Sequence, residues 1–289
     1  MARPLDALLR RLREPGRGPL LMGIVNLTPD SFSDGGRWQE PGRALDQVRA
    51  LVAAGAEIVD LGGESTRPGA APVDEAEELA RVEPVLRALP ADLPAWLSID
   101  TQRRSVAAVA QAAGAVLVND VSAGGRDPEL LPWVVSQPLA YVLMHMRGRP
   151  AGMQEAPRYE NVALEVAEFL RSRAADLSAR GLPRERILLD PGIGFGKRLE
   201  DNRALLRTLA GLRELGHPLL LGASRKSFIG QLEETAGQPA SPPDERLGGS
   251  LAAALWAAAQ GVHVLRVHDV AQTRQALQVW RWLEDPAWK

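Results

Sequence analysis

The chain has 289 residues, 45% hydrophobic and 24% charged, with a formal net charge of −2 and no cysteine. That is enough for one large α/β domain over residues 1–289 with a well-buried core, in preference to two small ones. The balance offers no basic face for nucleic acid, no apolar run nears the ~18 residues of a membrane span, and disulfides, thiolate catalysis and Cys-based zinc are excluded, so a cytoplasmic protein acting on small molecules is expected.

Residues 5–14 read as a short amphipathic helix ending before Pro15-Gly16, placed to cover the bottom of the fold. Leu20 to Val25 is a strand ending on Asn26, and residues 27–40 form a polar loop far longer than the usual two to six, a length typical of lids. A helix over 41–54 precedes the second strand, Glu57 to Gly63, with Asp60 inside it. That strand runs into another long turn, Glu64-Ser-Thr66-Arg67-Pro68-Gly69, and a helix over 73–88. Trp96 to Ile99 ends on Asp100, with Thr101 placed to cap a helix running to about Ala113. Ala115 to Val118 ends on Asn119-Asp120, and Asp127-Pro128 starts a helix. Leu139 to Met144 ends on His145-Met146-Arg147, and a long helix spans Tyr159 to Arg180. Ile187 onward reads I-L-L-D-P-G-I-G-F-G-K, a short apolar strand ending on Asp190 and followed by glycines. A helix over 200–215 leads to Leu219–Gly222, which ends on Ser224-Arg225-Lys226-Ser227. The alanine-rich run 249–259 fits an outer helix. Val262 to Val267 is the last strand, with Arg266, His268 and Asp269 at its end, and a helix over 271–283 closes the chain.

Eight apolar, non-alternating strands, each followed by helix, are the pattern of a closed (β/α)8 TIM barrel with its active site at the carboxyl ends of the strands. An open doubly wound sheet would gather ligand groups only at its switch point, whereas here nearly every strand ends on polar residues. A barrel brings Asn26, Asp100, Asn119, His145, Asp190, Lys226, Arg266 and His268 to one mouth.

The glycines after Asp190 match neither a P-loop nor G-x-G-x-x-G, because Pro191 and Arg198 stand where a P-loop needs Gly and Ser/Thr. Taken alone they fit a tight strand-to-helix turn. Only three of 34 basic residues are lysine, and Lys197 and Lys226 both lie in turns after strands, which suggests specific contacts that a guanidinium would not make. Of four phenylalanines, Phe32, Phe195 and Phe228 also fall in such turns, while Phe169 reads as helix packing. Asp100 and Asp190 are acceptors and Asn119 both accepts and donates, a set suited to the edge of an amino-oxo-pyrimidine. Lys226 can donate to a ring atom, Arg266 and His268 can hold an anion such as diphosphate, and the helix start after Ser224 suits a carboxylate. Asp60 is either a structural acid or a catalytic one, His145 reads as a wall residue, and His217 and His263 as structural groups at strand entrances.

The stretches Met22–Gly36, Asp60–Gly69, Ser98–Thr101, Asn119–Val121, Met144–Met146, Asp190–Lys197, Ser224–Gly230 and Arg266–Val270 together resemble the motif set of the dihydropteroate synthases, over residues 22 to about 275. The resemblance implies condensation of 7,8-dihydropterin-6-ylmethyl diphosphate with 4-aminobenzoate, a sulfonamide-targeted step of folate biosynthesis, by a magnesium-dependent homodimer. It implies that Asp100, Lys226, Arg266 and His268 carry the catalysis. Asp100, Asn119, Asp190 and Lys226 would hold the pterin, with Thr66 nearby; Arg266 and His268 would bind the diphosphate, and Val267 would also contact substrate. Phe32, Pro68, Phe195 and Ser227 would surround 4-aminobenzoate, Arg67 would also contact substrate, and Asn26 would give an oxygen to Mg²⁺. Arg103 and Asp201 depart from the family pattern, where lysine and histidine are frequent. A barrel metallohydrolase lacks its paired histidines on the first strand. A pterin-binding methyltransferase module and a catalytically silent relative share part of the pattern.

Overall fold

The computed structural model describes residues 3–14, 16–28, 41–66, 69–70, 73–148, 153 and 157–284. The strands are β1 (Leu20–Asn26), β2 (Ile58–Gly62), β3 (Trp96–Asp100), β4 (Ala115–Asp120), β5 (Ala140–Met144), β6 (Ile187–Asp190), β7 (Leu220–Leu221) and β8 (Val264–Val267). The helices are α1 (Leu5–Arg13), α2 (Pro41–Ala54), α3 (Glu75–Ala88), α4 (Arg104–Ala112), α5 (Leu130–Ser136), α6 (Val162–Ala179), α7 (Leu199–Arg207), α8 (Leu209–Arg213), α9 (Ser227–Thr235), α10 (Leu247–Ala259) and α11 (Val270–Glu284). Every strand pair is parallel, in the order β6-β5-β4-β3-β2-β1-β8-β7. The ring closes where Leu189 bridges Leu219, with the Leu189 N–H donating to Pro218 O at 2.8 Å. This is the expected TIM barrel. Among the described residues no helix is long and apolar enough to cross a membrane.

The strands are buried on both faces, yet their residues still alternate between two compartments. In β3, Leu97 and Ile99 face the outer core under the helices, while Trp96, Ser98 and Asp100 face the barrel axis. The lower axis is apolar: Leu20, Met22, Ile58, Trp96, Leu117, Val142, Leu188, Leu220 and Val264 fill it. Leu8 and Leu12 of α1 plug that layer from below, and the Trp96 indole donates to Pro4 O at 3.2 Å. Each chain climbing from this layer reaches polar side chains at its carboxyl end, so the interior changes from oil to acid and base within two residues.

Three local expectations are corrected. Thr101 does not cap α4: its hydroxyl donates to buried Glu78 at 2.6 Å and accepts from the Arg103 N–H. The cap is supplied from another loop, Asp127 accepting from Arg104 N at 2.8 Å, so Asp127 serves α4 while α5 begins later, at Leu130. The helix expected over 200–215 breaks at Thr208 into α7 and α8.

Candidate active site

Strand register sets the level of each polar group. Asp60 pairs with Ser98 and Asp100 with Asn119, Met144 with Asp190, and Met22 with Arg266. Because these residues share the inward parity, side chains far apart in sequence meet at the axis. Asp60, fully buried, accepts from Ser98 Oγ at 2.6 Å on one oxygen. Its other oxygen accepts from Asn119 Nδ2 at 3.0 Å and from Arg266 Nε at 2.6 Å. Arg266 Nη2 donates to Asp100 Oδ2 at 2.7 Å. Asp60 therefore orients both Asn119 and Arg266, the structural half of the two readings its position allowed.

One guanidinium between two buried carboxylates leaves a net negative charge. Burial, only partly offset by Arg266 and reinforced by Asp60, raises the pKa of Asp100. Burial acts to lower that of Arg266, but Asp60 and Asp100 raise it further, so it stays a cation. Asp190 is 6% exposed and its Oδ1 accepts from Gly192 N at 2.7 Å. Burial lifts its pKa to about 6, against the pull of that N–H and of Lys226, Lys197 and Arg266. Among the described residues Asp100 Oδ1, Asn119 Oδ1 and Asp190 Oδ2 accept no hydrogen bond, and none of the three is a sealed, unsatisfied atom. Three acceptors open to a ligand thus lie on one rim, the pattern needed for a donor-rich heterocycle edge.

Lys226 precedes α9, and its ammonium lies 3.9 Å from the centre of the Phe195 ring. Its stem runs against Gly194, where φ is +80° and a Cβ would stand 3.2 Å from Lys226 Cδ. Ser227 is exposed as the first residue of α9, beside N–H groups that the helix leaves unpaired. His268, half-buried, has Nδ1 3.0 Å from Ser224 Oγ, and Ser224 also accepts from the His268 N–H. The turn after β7 is tied to the end of β8 by Arg225, whose Nε and Nη2 meet Asp269 at 3.0 and 2.5 Å, and whose φ is +59°. Val267 turns its side chain into the outer core, so it can offer the mouth only backbone. Asn26 and Thr66 are half-buried at the ends of β1 and the β2 loop. Phe32, Arg67 and Pro68 lie outside the described residues, as does much of both long loops.

His145 accepts the place of a wall residue, its ring edge-on to Phe169 at 4.9 Å and 3.1 Å from the Lys197 ammonium. His217 and His263 bond backbone at the strand entrances, to Arg184 O and from Leu219 N, each at 3.0 Å. A cavity of about 760 Å³ lies at that opposite end, lined in part by Arg11, Arg184, Arg213, His217 and His263. No strand's carboxyl end reaches it.

The pterin binding enzyme family model matches residues 22–268, most of the chain. The chain is 45% identical over 261 residues to the dihydropteroate synthase of Escherichia coli strain K12, covering 90% of each. This chain belongs to the dihydropteroate synthase family of pterin-binding enzymes. The Neisseria meningitidis serogroup B synthase is 46% identical over 270 residues, covering 91% of this chain and 92% of that one. Among solved structures, the Yersinia pestis dihydropteroate synthase with a sulfonamide drug complex superposes with a TM-score of 0.85 at 42% identity, over 92% of this chain and 94% of that one. The Xanthomonas albilineans enzyme in complex with 7,8-dihydropteroate gives a TM-score of 0.81 at 42% identity, over 93% and 94%. Within this family frame, reading the sequence missed Ser98 and Ser224. Ser98 was signalled by a hydroxyl at an inward position of W-L-S-I-D. The sequence marks Ser224 only by the helix start after it, whereas its hydroxyl serves His268.

Proposed function

We propose that the mouth binds 7,8-dihydropterin-6-ylmethyl diphosphate and 4-aminobenzoate and joins them into 7,8-dihydropteroate, releasing diphosphate. The observation that carries this reading is the convergence of Asp100, Asn119 and Asp190, each with an open acceptor, on one rim that also holds Lys226 and Arg266. Asp190 takes the N–H groups of the pyrimidine edge, Asn119 and Asp100 the rest of the bicycle, and Lys226 a ring heteroatom. Thr66, half-buried in the loop after β2, would complete the pterin side. Arg266 keeps Nη1 for the diphosphate after Asp60 and Asp100 take Nε and Nη2, and His268, oriented by Ser224, adds a second donor. Phe195 and Ser227, with Phe32, Arg67 and Pro68, enclose the amine, its carboxylate at the start of α9.

The Asn26 side chain makes no hydrogen bond to another described residue, and among the described residues no three carboxylates or imidazoles converge there. A single neutral oxygen fits Mg²⁺, which keeps waters and takes its other ligands from substrate phosphate. Bound there, the ion would neutralise charge growing on the leaving diphosphate. Arg266 and His268 stabilise the same charge. The C–O bond to diphosphate breaks ahead of attack, the electron pair leaving with the diphosphate and the methylene cation shared by the electron-rich ring. The amine nitrogen then bonds to the methylene and its proton passes to water. No covalent enzyme intermediate is required. The reading extends to a homodimer in the cytoplasm, supported by the cysteine-free composition and by Trp282, Val279 and Leu283 exposed on α11.

A diphosphate-release assay tests this. Release should require both substrates and fall by about three orders of magnitude in Asp190→Ala, the scale of a lost buried charged contact to the substrate ring. Release without the amine would mean hydrolysis, and no release with pterin bound would mean a silent relative.

A further inference from the structure

Lys197 has no part in the reading above, although it is one of only three lysines among 34 basic residues and is 3% exposed. An ammonium is tolerated in such a place only when its donors are matched. They are: Nζ donates to Phe195 O at 3.0 Å and to His145 O at 3.1 Å, and lies 3.1 Å from His145 Nδ1. The third contact needs an imidazole that accepts. Burial first, then the Lys197 charge, lowers His145 to about 3, which keeps the ring neutral with its proton on Nε2.

Three acceptors from two connections therefore converge on one nitrogen. His145 is the first residue beyond β5, and Phe195 lies in the turn beyond β6. The same turn is held on its other side by Asn202 of α7, which accepts from Gly194 N at 2.8 Å and donates to Arg198 O, while Tyr159 OH donates to Gly196 O at 2.9 Å. A planar guanidinium cannot aim three donors at acceptors grouped around a point, which gives a physical reason for lysine in a chain that otherwise uses arginine. Burial lowers the pKa of Lys197 to about 7; among the charged groups facing it, Asp190 and Asp201 favour its cation, and Lys226 and Arg147 oppose it.

We propose that Lys197 is a positioning residue for the amine side of the mouth, holding Phe195 where its ring meets Lys226 and so setting how 4-aminobenzoate docks. This rests on the synthase reading. Lys197 touches neither substrate; it acts through the backbone of Phe195.

Steady-state constants for both substrates, with thermal midpoints, are measured for the wild type, Lys197→Met, Lys197→Arg and Phe195→Leu. Lys197→Met should raise KM for 4-aminobenzoate about tenfold, the size of one charge-assisted contact, while KM for the pterin diphosphate changes by less than about twofold. Lys197→Arg should not restore it, and Phe195→Leu should reproduce the same split. Equal rises in both constants, or a lowered midpoint with both constants unchanged, would mean a merely structural role and overturn the proposal. If Lys197→Met does not fold, Phe195→Leu decides: an unaltered amine KM there also overturns it. A wild type that releases no diphosphate with both substrates present fails the synthase reading instead, a result distinct from any of these.

Discussion

At the scale of single residues, the site is a set of charges held out of water. Asp190 shows the consequence most simply. Its pKa stands at about 6 in the fold against 3.8 for an exposed carboxyl, so ionising it costs stability. The sign follows: the raised value favours the fold fully below pH 3.8, and that contribution is lost as pH rises through about 6. Asp190→Asn keeps an acceptor for Gly192 N and removes the charge. Denaturant unfolding should show it equal to wild type at pH 3.8 and more stable by roughly 3 kcal/mol at pH 7.5, as turnover is lost. The same rise predicts that pterin affinity in the wild type weakens as pH falls through about 6, read by calorimetry across that range. Arg266 is the opposite case. Arg266→Met should destabilise by about 3 kcal/mol, because it strands Asp60 and Asp100 without a cation, and adding Asp60→Asn should recover part of that loss in the same unfolding measurement.

At the scale of elements, the strands' carboxyl ends were legible because a buried apolar run that stops on an acid or amide needs something to satisfy it. Asp100, Asn119 and Asp190 were found that way, and register confirms that they share the axis. What ties the loops together was not legible. Thr101 has the residue type and position of a helix cap, yet Glu78 on α3 takes its hydroxyl and Asp127 from a different loop caps α4, a choice made by tertiary contact. Lys197 was visible only as a compositional oddity, and its three acceptors lie on connections 50 residues apart by chain, such as His145. The turn it holds is intolerant of side chains. At Gly192, φ is +69° and a Cβ would stand 2.0 Å from His145 O, so Gly192→Ala must push β5 and β6 apart. We expect a loss of about 3 kcal/mol or more in stability with pterin affinity falling in parallel, seen by thermal unfolding and calorimetry.

At the scale of the whole molecule, the barrel separates support from chemistry along its axis. Leu8 is fully buried in the lower layer, sealed by α1 against Leu20, Trp96 and Leu117, while the polar network begins one layer above. Leu8→Ala should cost roughly 2–5 kcal/mol by denaturant unfolding and leave both substrate KM values unchanged. A shift in either constant would mean that base and mouth are coupled. The layering also explains why the barrel could be read from eight apolar runs, whereas the two-residue β7 and the single Leu189–Leu219 bridge that closes the ring could not.

A single pterin-binding rim built from residues between Asp60 and Arg266 would be seen in a crystal structure with bound 6-hydroxymethylpterin diphosphate. The predicted result is a ring whose pyrimidine edge lies within hydrogen-bond distance of Asp190 and Asn119, with the phosphates toward Arg266 and His268. A ring seated elsewhere, such as in the arginine-lined cavity at the base, with the Asp190 carboxylate untouched, would contradict it.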